Sequence, residues 1–188
     1  MIHKYIYQDQ LQTPRLQTRF LTRDDATAWA GFFADKECGA FIPDFGFTDP
    51  HERAKHWMER QLTRYAENRY GLQALINRET GEFIGQCGLM LQDVDGIPEI
   101  EVGYHIFRKY WGQGYAPEAS AAFTGFWLDN HLSDSLISII DVNNVNSQRV
   151  ADKNGLTRTI QTKWMDLDIF VYRISRETML QNRDNARS

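Results

Sequence analysis

The stretch that decides the fold lies in the second half of the chain, where Ile100-Glu101-Val102-Gly103-Tyr104-His105-Ile106-Phe107 leads to Trp111-Gly112-Gln113-Gly114-Tyr115-Ala116 and then to Pro117-Glu118. The first run is predicted to be a strand, because its apolar residues recur at alternate positions. Pro117 is expected to begin a helix, since proline favours the first helical turn. The glycines between them allow a tight turn and a close approach of the backbone to a ligand. Backbone N–H groups just before a helix attract anions, so the stretch predicts an anion site.

The spacing of the glycines narrows the kind of anion. A nucleotide-binding P-loop needs a lysine followed by serine or threonine, and no such pair follows Gly114 in this loop. A dinucleotide-binding loop needs a third glycine, where this chain has Pro117. Neither the P-loop nor the dinucleotide-binding loop fits this sequence, but a pyrophosphate bound without magnesium, as in coenzyme A, still does. A Gly-x-Gly segment taken alone is also compatible with a simple turn.

Outward from this loop, alternation and turn signals predict seven strands, at residues 15–21, 72–77, 83–92, 100–107, 136–142, 157–163 and 169–175. Four helices are predicted, at residues 26–33, from Pro50 onward with Asp49 as N-cap, at 117–130 and at 146–153. Residues 39–46 are expected to form a loop, and Gly85 and Gly88 to mark a bulge or a close backbone contact. This order predicts an α+β (α/β) domain with a mixed sheet.

Length and composition bound the class of protein. The chain has 188 residues, 42% of them apolar, which suits a single domain with residues 1–12 and 181–188 as peripheral tails. The formal net charge of -4 argues against a nucleic-acid partner. No apolar run approaches the ~18–20 residues of a membrane span and the N-terminus lacks the apolar core of a signal peptide, so a soluble cytoplasmic protein is expected. Cys38 and Cys87 form no metal-binding motif, and no metal is expected.

Three segments, in the same order along the chain, resemble segments of one known family. They are Thr13-Pro14-Arg15-Leu16 with Leu21-Thr22-Arg23-Asp24-Asp25-Ala26, then Tyr110-Trp111-Gly112-Gln113-Gly114-Tyr115-Ala116-Pro117-Glu118-Ala119, then Asn144-Val145-Asn146-Ser147-Gln148-Arg149-Val150 with Lys153-Asn154-Gly155-Leu156. They are similar to the opening strand and helix, the coenzyme loop and the Asn-x-x-Ser-x-Arg-Val segment of the GNAT N-acetyltransferases, in particular the ribosomal-protein alanine N-acetyltransferase subgroup. The resemblance spans residues 13–175. Trp111 departs from it, since the family has Gln or Arg there, and Arg108 stands where Pro is common.

The resemblance implies a mixed, mostly antiparallel twisted sheet of about seven strands flanked by about four helices. It also implies an acyltransferase that moves acetyl from acetyl-coenzyme A to a primary amine by direct attack in a ternary complex. The pyrophosphate would lie on the backbone of Trp111, Gly112, Gln113, Gly114, Tyr115 and Ala116, and the pantetheine arm on the strand at His105, Ile106 and Phe107, paired like an added strand. The backbone N–H of Ile106 would face the acetyl oxygen. Asn144 would hold the coenzyme or the start of a helix.

Two proton transfers complete the expected chemistry. Glu101 is the leading candidate for the base that takes the proton of the amine, and a solvated carboxylate is the alternative interpretation. His105 titrates in a suitable range, or serves as a wall residue. The resemblance places Ser147 near the thioester sulfur as the acid, whereas its position at the start of a predicted helix equally predicts an N-cap or a first-turn serine. The phenols of Tyr104 and Tyr115 could donate instead, or pack in the core.

The acceptor is expected to be the α-amine of a protein N-terminus or a small-molecule amine. Its site is expected among the loop Phe41-Ile42-Pro43-Asp44-Phe45, the helix after Asp49 and residues 164–168. There Asp166 and Asp168 would recognise a cationic amine or simply line a turn. A catalytically silent acyl-CoA-binding sensor is the alternative function, and an unrelated α/β domain with a chance loop is a third interpretation. The sequence is compatible with a monomer and with a homodimer.

Overall fold

The computed structural model describes residues 6–43 and 45–185, which form a seven-stranded sheet with helices on both faces. The strands are β1 (Leu16–Phe20), β2 (Leu72–Asn77), β3 (Phe83–Val94), β4 (Ile97–Ile106), β5 (Ser135–Asp141), β6 (Thr157–Trp164) and β7 (Leu167–Ser175). The α-helices are α1 (Asp25–Ala34), α2 (Lys36–Gly39), α3 (Pro50–Ala66), α4 (Tyr115–Asp129), α5 (Val145–Lys153) and α6 (Arg176–Asn185), and a short 3-10 helix, Arg108–Tyr110, precedes α4. No helix within these two ranges is both long enough and apolar enough to cross a membrane.

The strand order is β1-β2-β3-β4-β5-β7-β6, and β4 and β5 are the one parallel pair in this described sheet. Helices α1 and α3 cover one face, where Trp29 and Trp57 are buried in one core. Helices α4, α5 and α6 pack on the other face, where Phe123 and Trp127 are fully buried in a second core. The predicted fold class is confirmed, with a mixed and mostly antiparallel sheet.

Helix α2 differs from the sequence prediction, which placed no helix between residues 33 and 49. The side chain of Asp35 caps it by accepting a hydrogen bond from the backbone N–H of Glu37 at 3.0 Å. A helix of four residues is too short to show an apolar periodicity, so its sequence gives only the capping signal.

Helix α6 extends through residues that the sequence marks as a tail. It follows β7 directly and continues to Asn185, while residues 1–5 and 186–188 lie outside the described ranges. Met179 and Leu180 pack against the core of α4, and Arg183 forms an ion pair with Asp129 at 2.6 Å. Two apolar residues in a polar segment give no periodic pattern, which is why the helix was missed.

The sheet opens into a fork between its two parallel strands. β4 and β5 share a single registered pair, Glu101 with Ile137, although both strands continue beyond it. Oε1 of Glu101 accepts a hydrogen bond from the backbone N–H of Ile139 at 3.2 Å. The Glu101 side chain therefore accepts a backbone N–H of β5 that would pair with the backbone of β4 if the ladder between the two strands continued. Past this point the facing edges of β4 and β5 are not paired with each other.

Two glycines of β3 hold the strands beside the fork in close contact. A Cβ atom at Gly85 would lie 2.2 Å from the carbonyl oxygen of His105, and one at Gly88 would lie 2.6 Å from the carbonyl oxygen of Gly71. The predicted close backbone contact is confirmed at both positions, and the register of β2 and β3 shifts opposite Gly85. The contact at Gly85 holds β4 close to β3 on the side away from the fork, and the contact at Gly88 brings the start of β2 close to β3.

Candidate functional site

The glycine loop and the first turn of α4 form one wall of the site. Gly112 and Gly114 have φ angles of 74° and 82°, in the left-handed region that strains other residues. Gly114 is the N-cap residue, so the helix begins at Tyr115, ahead of the predicted start at Pro117. Pro117 still lies in the first turn, where its missing N–H leaves no helical hydrogen bond unmade.

The backbone N–H groups of this loop are left without protein acceptors. Among the described residues, no backbone or side-chain atom accepts a hydrogen bond from the N–H groups of residues 112–116. Trp111 differs, because its N–H donates to the carbonyl of Arg108 at 3.0 Å. The first N–H groups of a helix have no intrahelical partner, and together with the helix dipole they attract an anion. The loop therefore has the geometry expected of an anion site, without the N–H of Trp111, and the anion site itself stays a prediction.

A cavity of about 590 Å³ lies between the glycine loop, β4, α5 and the α1–α2 segment. Nine predicted site residues lie on its wall: His105, Ile106, Trp111, Gly112, Gly114, Tyr115, Ala116, Asn144 and Ser147. The other three predicted residues, Glu101, Phe107 and Gln113, are not part of that wall. The glycine loop and the start of α5, which are distant in sequence, therefore meet at one cavity.

Phe107 and Gln113 point elsewhere. The ring of Phe107 packs on the α1 face, with its centroid 5.3 Å from that of Trp29 and 5.5 Å from that of Phe83. The amide nitrogen of Gln113 donates to the carbonyl of Lys109 at 3.0 Å. Gln113 can therefore contribute its backbone N–H to a ligand but not its side chain.

The backbone of Ile106 faces the fork. Phe107 donates its N–H to the carbonyl of Ile84 at 3.1 Å. Because hydrogen-bonded pairs alternate along an antiparallel ladder, the N–H and C=O of Ile106 point away from β3. The carbonyl of Ile106 accepts a hydrogen bond from the indole Nε1 of Trp111 at 2.7 Å. The indole thus joins the loop to β4, a role that the sequence did not indicate for Trp111.

The start of α5 forms the opposite wall. Oδ1 of Asn144 accepts a hydrogen bond from the backbone N–H of Ser147 at 3.1 Å, so Asn144 is the N-cap. Ser147 is therefore a first-turn residue of α5 and not its N-cap, and it lies on the cavity wall. The phenol of Tyr104 donates to the carbonyl of Ser147 at 2.9 Å and ties β4 to α5 across the fork. Burial raises the pKa of Tyr104.

Glu101 is buried rather than solvated, with 5% of its surface exposed. Its Oε2 accepts from Nε2 of Gln92 at 2.7 Å, and its Oε1 accepts from the N–H of Ile139 at 3.2 Å. Burial raises the pKa of Glu101 above its ordinary value, against the effect of these hydrogen bonds. The solvated-carboxylate interpretation is wrong, because Glu101 lies where the two parallel strands separate.

His105 lies among aromatic rings on the α1–α3 face of β4. Its ring centroid is 5.4 Å from that of Trp57, 6.0 Å from that of Phe32 and 6.5 Å from that of Trp29. Burial lowers the pKa of His105 to about 4. The imidazole is therefore neutral near pH 7, and it forms part of the cavity wall.

The expected acceptor segments are only partly at the cavity. Phe41 lies on its wall, and Asp44 is outside the described residues. Asp166 lies in the turn between β6 and β7, Asp168 is the second residue of β7, and neither is on the wall. Asp168 is exposed and pairs with Lys163 across the hairpin at 3.0 Å, so the alternative interpretation holds for Asp166 as a turn residue and for Asp168 as a solvated carboxylate beside the turn.

The cavity also contains residues that the sequence reasoning missed. They are contributed by α1 and the α2 segment (Phe32, Glu37, Cys38, Ala40) and by α5 with the turn before it (Asn143, Val145, Asn146, Arg149, Val150, Lys153). The i, i+4 spacing of Arg149 and Lys153 was a signal for one basic helix face. The α1–α2 residues carried no such signal, since their apolar character also suits a core. No cluster of His, Cys, Asp and Glu suited to a metal ion occurs in the described ranges.

Comparison with known proteins agrees with this geometry. Residues 15–157 match the family model described as an acetyltransferase (GNAT) domain. The uncharacterized protein YkkB of Bacillus subtilis (strain 168) is 32% identical over 162 residues, covering 82% of this chain and 90% of that protein. An acetyltransferase structure from Agrobacterium tumefaciens str. C58 has a TM-score of 0.75 at 26% identity, covering 92% of this chain and 97% of that one.

A further structural neighbour was solved with a coenzyme A derivative. Mycobacterium smegmatis RimJ, in complex with CoA-disulfide, has a TM-score of 0.73 at 19% identity, covering 87% of this chain and 83% of that one. At 19% identity this similarity shows a shared fold only. The family model matches residues 15–157, and this range includes the fork, the glycine loop and α5. On that match, the chain belongs to the GNAT acetyltransferase family.

Proposed function

We propose that this protein transfers the acetyl group of acetyl-coenzyme A to a primary amine by direct attack within a ternary complex. The observation that carries the proposal is the set of N–H groups in residues 112–116, which have no well-formed hydrogen bond to an acceptor among the described residues. All of these residues except Gln113 lie on the cavity wall. Such groups at a helix N-terminus suit a pyrophosphate. The cavity continues from them to the free edge of β4, along which an acyl-bearing arm can extend.

The donor would be held by backbone and basic groups. Arg149 and Lys153 lie on the same wall, one turn apart on α5, and suit the phosphates of the coenzyme. The pantetheine arm would pair with the edge of β4, as a peptide pairs with an exposed strand. The N–H of Ile106 is our candidate donor to the acetyl oxygen as negative charge develops there. One such donor contributes ~2.7–4 kcal/mol in acyl-transfer sites.

The departing thiolate needs a proton, and Ser147 is the proposed donor. Its backbone N–H is engaged by Asn144, which leaves its hydroxyl unnecessary for capping α5. Tyr104 is the second candidate, since it also lies on the wall, but its phenol already donates to the Ser147 carbonyl.

Glu101 is the proposed base, ahead of His105. Burial raises the pKa of Glu101, and a base is more effective when its pKa approaches the working pH. The pKa of about 4 makes His105 a weak base. An α-amine titrates near ~7.7–8.0 and a lysine side chain near ~10.4, so an α-amine needs less help to become neutral. These properties favour an α-amine or a small amine of similar pKa as the acceptor.

Glu101→Gln separates the base from the structural contact at the fork. The amide oxygen can still accept the N–H of Ile139, so the strands keep their contact while the basic group is lost. A lower kcat with unchanged coenzyme affinity supports the role of Glu101 as base. An unchanged kcat would leave Glu101 as a residue that only holds the fork.

The acceptor would enter from the α1–α2 side, since the glycine loop and α5 occupy the other side. The wall there consists of Phe32, Cys38, Ala40, Phe41 and His105, together with Glu37. Glu37 is paired with Arg108 at 2.7 Å. This wall suits an amine on a largely apolar carrier, whether a peptide N-terminus or a small molecule.

The decisive experiment measures release of the coenzyme thiol with a panel of amines and N-terminal peptides. Acetyl-CoA consumption that depends on one class of acceptor is the expected result. Binding of acetyl-CoA with no turnover above hydrolysis would favour a catalytically silent acyl-CoA sensor instead. Failure to bind coenzyme A at all would contradict both functions.

A further inference from the structure

Glu118 lies in the first turn of α4, directly after the loop that offers N–H groups to an anion. A carboxylate there interacts favourably with the helix dipole, but its charge repels an anion bound at the same end of the helix. An anion site at this loop therefore requires the charge of Glu118 to be balanced. The balancing groups come from the segment around the start of β1.

Arg15 and Thr13 surround the Glu118 carboxylate. Its Oε2 lies 2.6 Å from Nε and 2.6 Å from Nη2 of Arg15. Its Oε1 accepts from the Thr13 hydroxyl at 2.5 Å and from the backbone N–H of Arg15 at 3.0 Å. Burial raises the pKa of Glu118, but these hydrogen bonds outweigh it and lower the pKa below its ordinary value. Glu118 is therefore ionised near neutral pH and paired with Arg15.

The same guanidinium supports the glycine loop from behind. Nη1 of Arg15 donates to the carbonyl of Gln113 at 2.8 Å, and the group lies 4.3 Å from the centroid of the Tyr115 ring. The carbonyl of Gln113 and the N–H of Gly114 belong to one planar trans peptide and point in opposite directions. Holding that carbonyl against Arg15 turns the N–H of Gly114 outward.

We propose that Arg15 and Glu118 form a positioning pair for the donor, in which Arg15 turns the N–H of Gly114 outward and cancels the charge of Glu118. Neither residue lies on the cavity wall, so both act through the loop. The inference rests on the proposed function, since it concerns the same donor site. It adds that coenzyme affinity depends on a contact between segments 103 residues apart in the chain.

The test exploits the opposite signs expected of two variants that break the same ion pair. Arg15→Ala leaves the charge of Glu118 unbalanced and frees the Gln113 carbonyl, so the Kd of coenzyme A is expected to rise about tenfold. Glu118→Gln removes the repelling charge, and its amide oxygen can still accept from Thr13. Its Kd is therefore expected to equal or fall below the wild-type value. The double variant is expected to bind more tightly than Arg15→Ala but less tightly than Glu118→Gln, because the repulsion is gone while the Gln113 carbonyl is still not held by Arg15.

Isothermal titration with coenzyme A, with thermal melting of each variant, measures these effects. Arg23→Ala is the matched control, because Arg23 forms its 2.8 Å ion pair with Glu59 away from the cavity, and it should bind like wild type. If Arg15→Ala does not fold, Arg15→Lys replaces it. Lysine keeps the charge but loses the planar fork, so a smaller loss of affinity is expected.

The outcomes distinguish failure of this inference from failure of the proposed function on which it rests. If wild type does not bind coenzyme A, the proposed function fails before any variant is compared. If wild type binds but Arg15→Ala and Glu118→Gln weaken binding alike, the contact is only structural and the inference is overturned. Wild-type affinity in every variant would overturn it equally and leave the proposed function standing.

Discussion

The two sides of the fork are built from different parts of the chain. On the α4–α5 side the groups offered to a ligand are mainly backbone N–H groups of residues 112–116, set by the φ angles of Gly112 and Gly114, with the basic side chains of Arg149 and Lys153 beside them. On the α1–α2 side the wall is made of side chains, among them Phe32, Cys38, Phe41 and His105. A backbone site requires one chain conformation, whereas a side-chain site changes with each substitution. Under the proposed function, the α4–α5 side is the donor side, specified by the fold, and the α1–α2 side is the acceptor side, specified by individual side chains.

The largest expected effect is on the donor side, with Ser147→Ala. Loss of the group that protonates the thiolate should lower kcat about a hundredfold, the lower range for a general acid. The affinity for coenzyme A should change little, because Asn144 rather than the Ser147 side chain caps α5. Steady-state kinetics and isothermal titration measure the two quantities separately. An unchanged kcat would rule out Ser147 as the acid, and Tyr104→Phe would then test the other candidate.

The donor side was also the more predictable of the two. The glycines, the helix start and Asn144 lie within a few residues of the elements they shape, so local rules identify them. Glu101 could not be assigned in this way. Its hydrogen-bond partners Gln92 and Ile139 are 9 and 38 residues away in the sequence. A glutamate with no partner nearby in the sequence is expected to be exposed. Phe32 was hidden for another reason, since an apolar residue beside a cavity looks like a core residue in sequence. Phe41 was expected in the acceptor loop and does lie on the cavity wall.

The second prediction concerns the acceptor-side wall and uses pH. The pKa of His105 is lowered to about 4 in the folded protein, while an unfolded chain keeps a value near ~6.5. Between those values the unfolded state binds more protons, so stability should fall as the pH is lowered through this window. His105→Phe removes this proton uptake. The free energy of unfolding of wild type should therefore fall relative to the variant by about 2 kcal/mol.

Urea denaturation of both proteins at pH 7 and at pH 4.5 measures this difference. Glu101 has a raised pKa and titrates in both proteins, so its contribution cancels in the comparison. Parallel pH dependence in the two proteins would mean that His105 is not desolvated by the aromatic wall.

The third prediction returns to the donor side. Gly114→Val places a branched side chain at a φ of 82°, and its Cβ would lie 3.4 Å from Nη2 of Arg15. The left-handed conformation costs roughly 1–2 kcal/mol for such a residue, so the loop should change shape and the Kd of coenzyme A should rise about tenfold. Gly81→Val is the control, because Gly81 has a φ of 73° and open space around it, away from the cavity. Equal affinities in the two variants would mean that the loop conformation does not set donor binding.

The smallest effect is expected from Phe41→Ala, and it tests whether the two sides are independent. Phe41 lies on the cavity wall, so removing its ring should raise the KM of the accepted amine about fivefold while the Kd of coenzyme A stays at the wild-type value. Phe47→Ala is the matched control, since Phe47 packs on His56 at 4.9 Å and is not on the wall. A fall in coenzyme affinity in Phe41→Ala would show that the α1–α2 side also holds the donor. The acceptor would then be recognised elsewhere, and the division between a backbone-built donor side and a side-chain-built acceptor side would not hold.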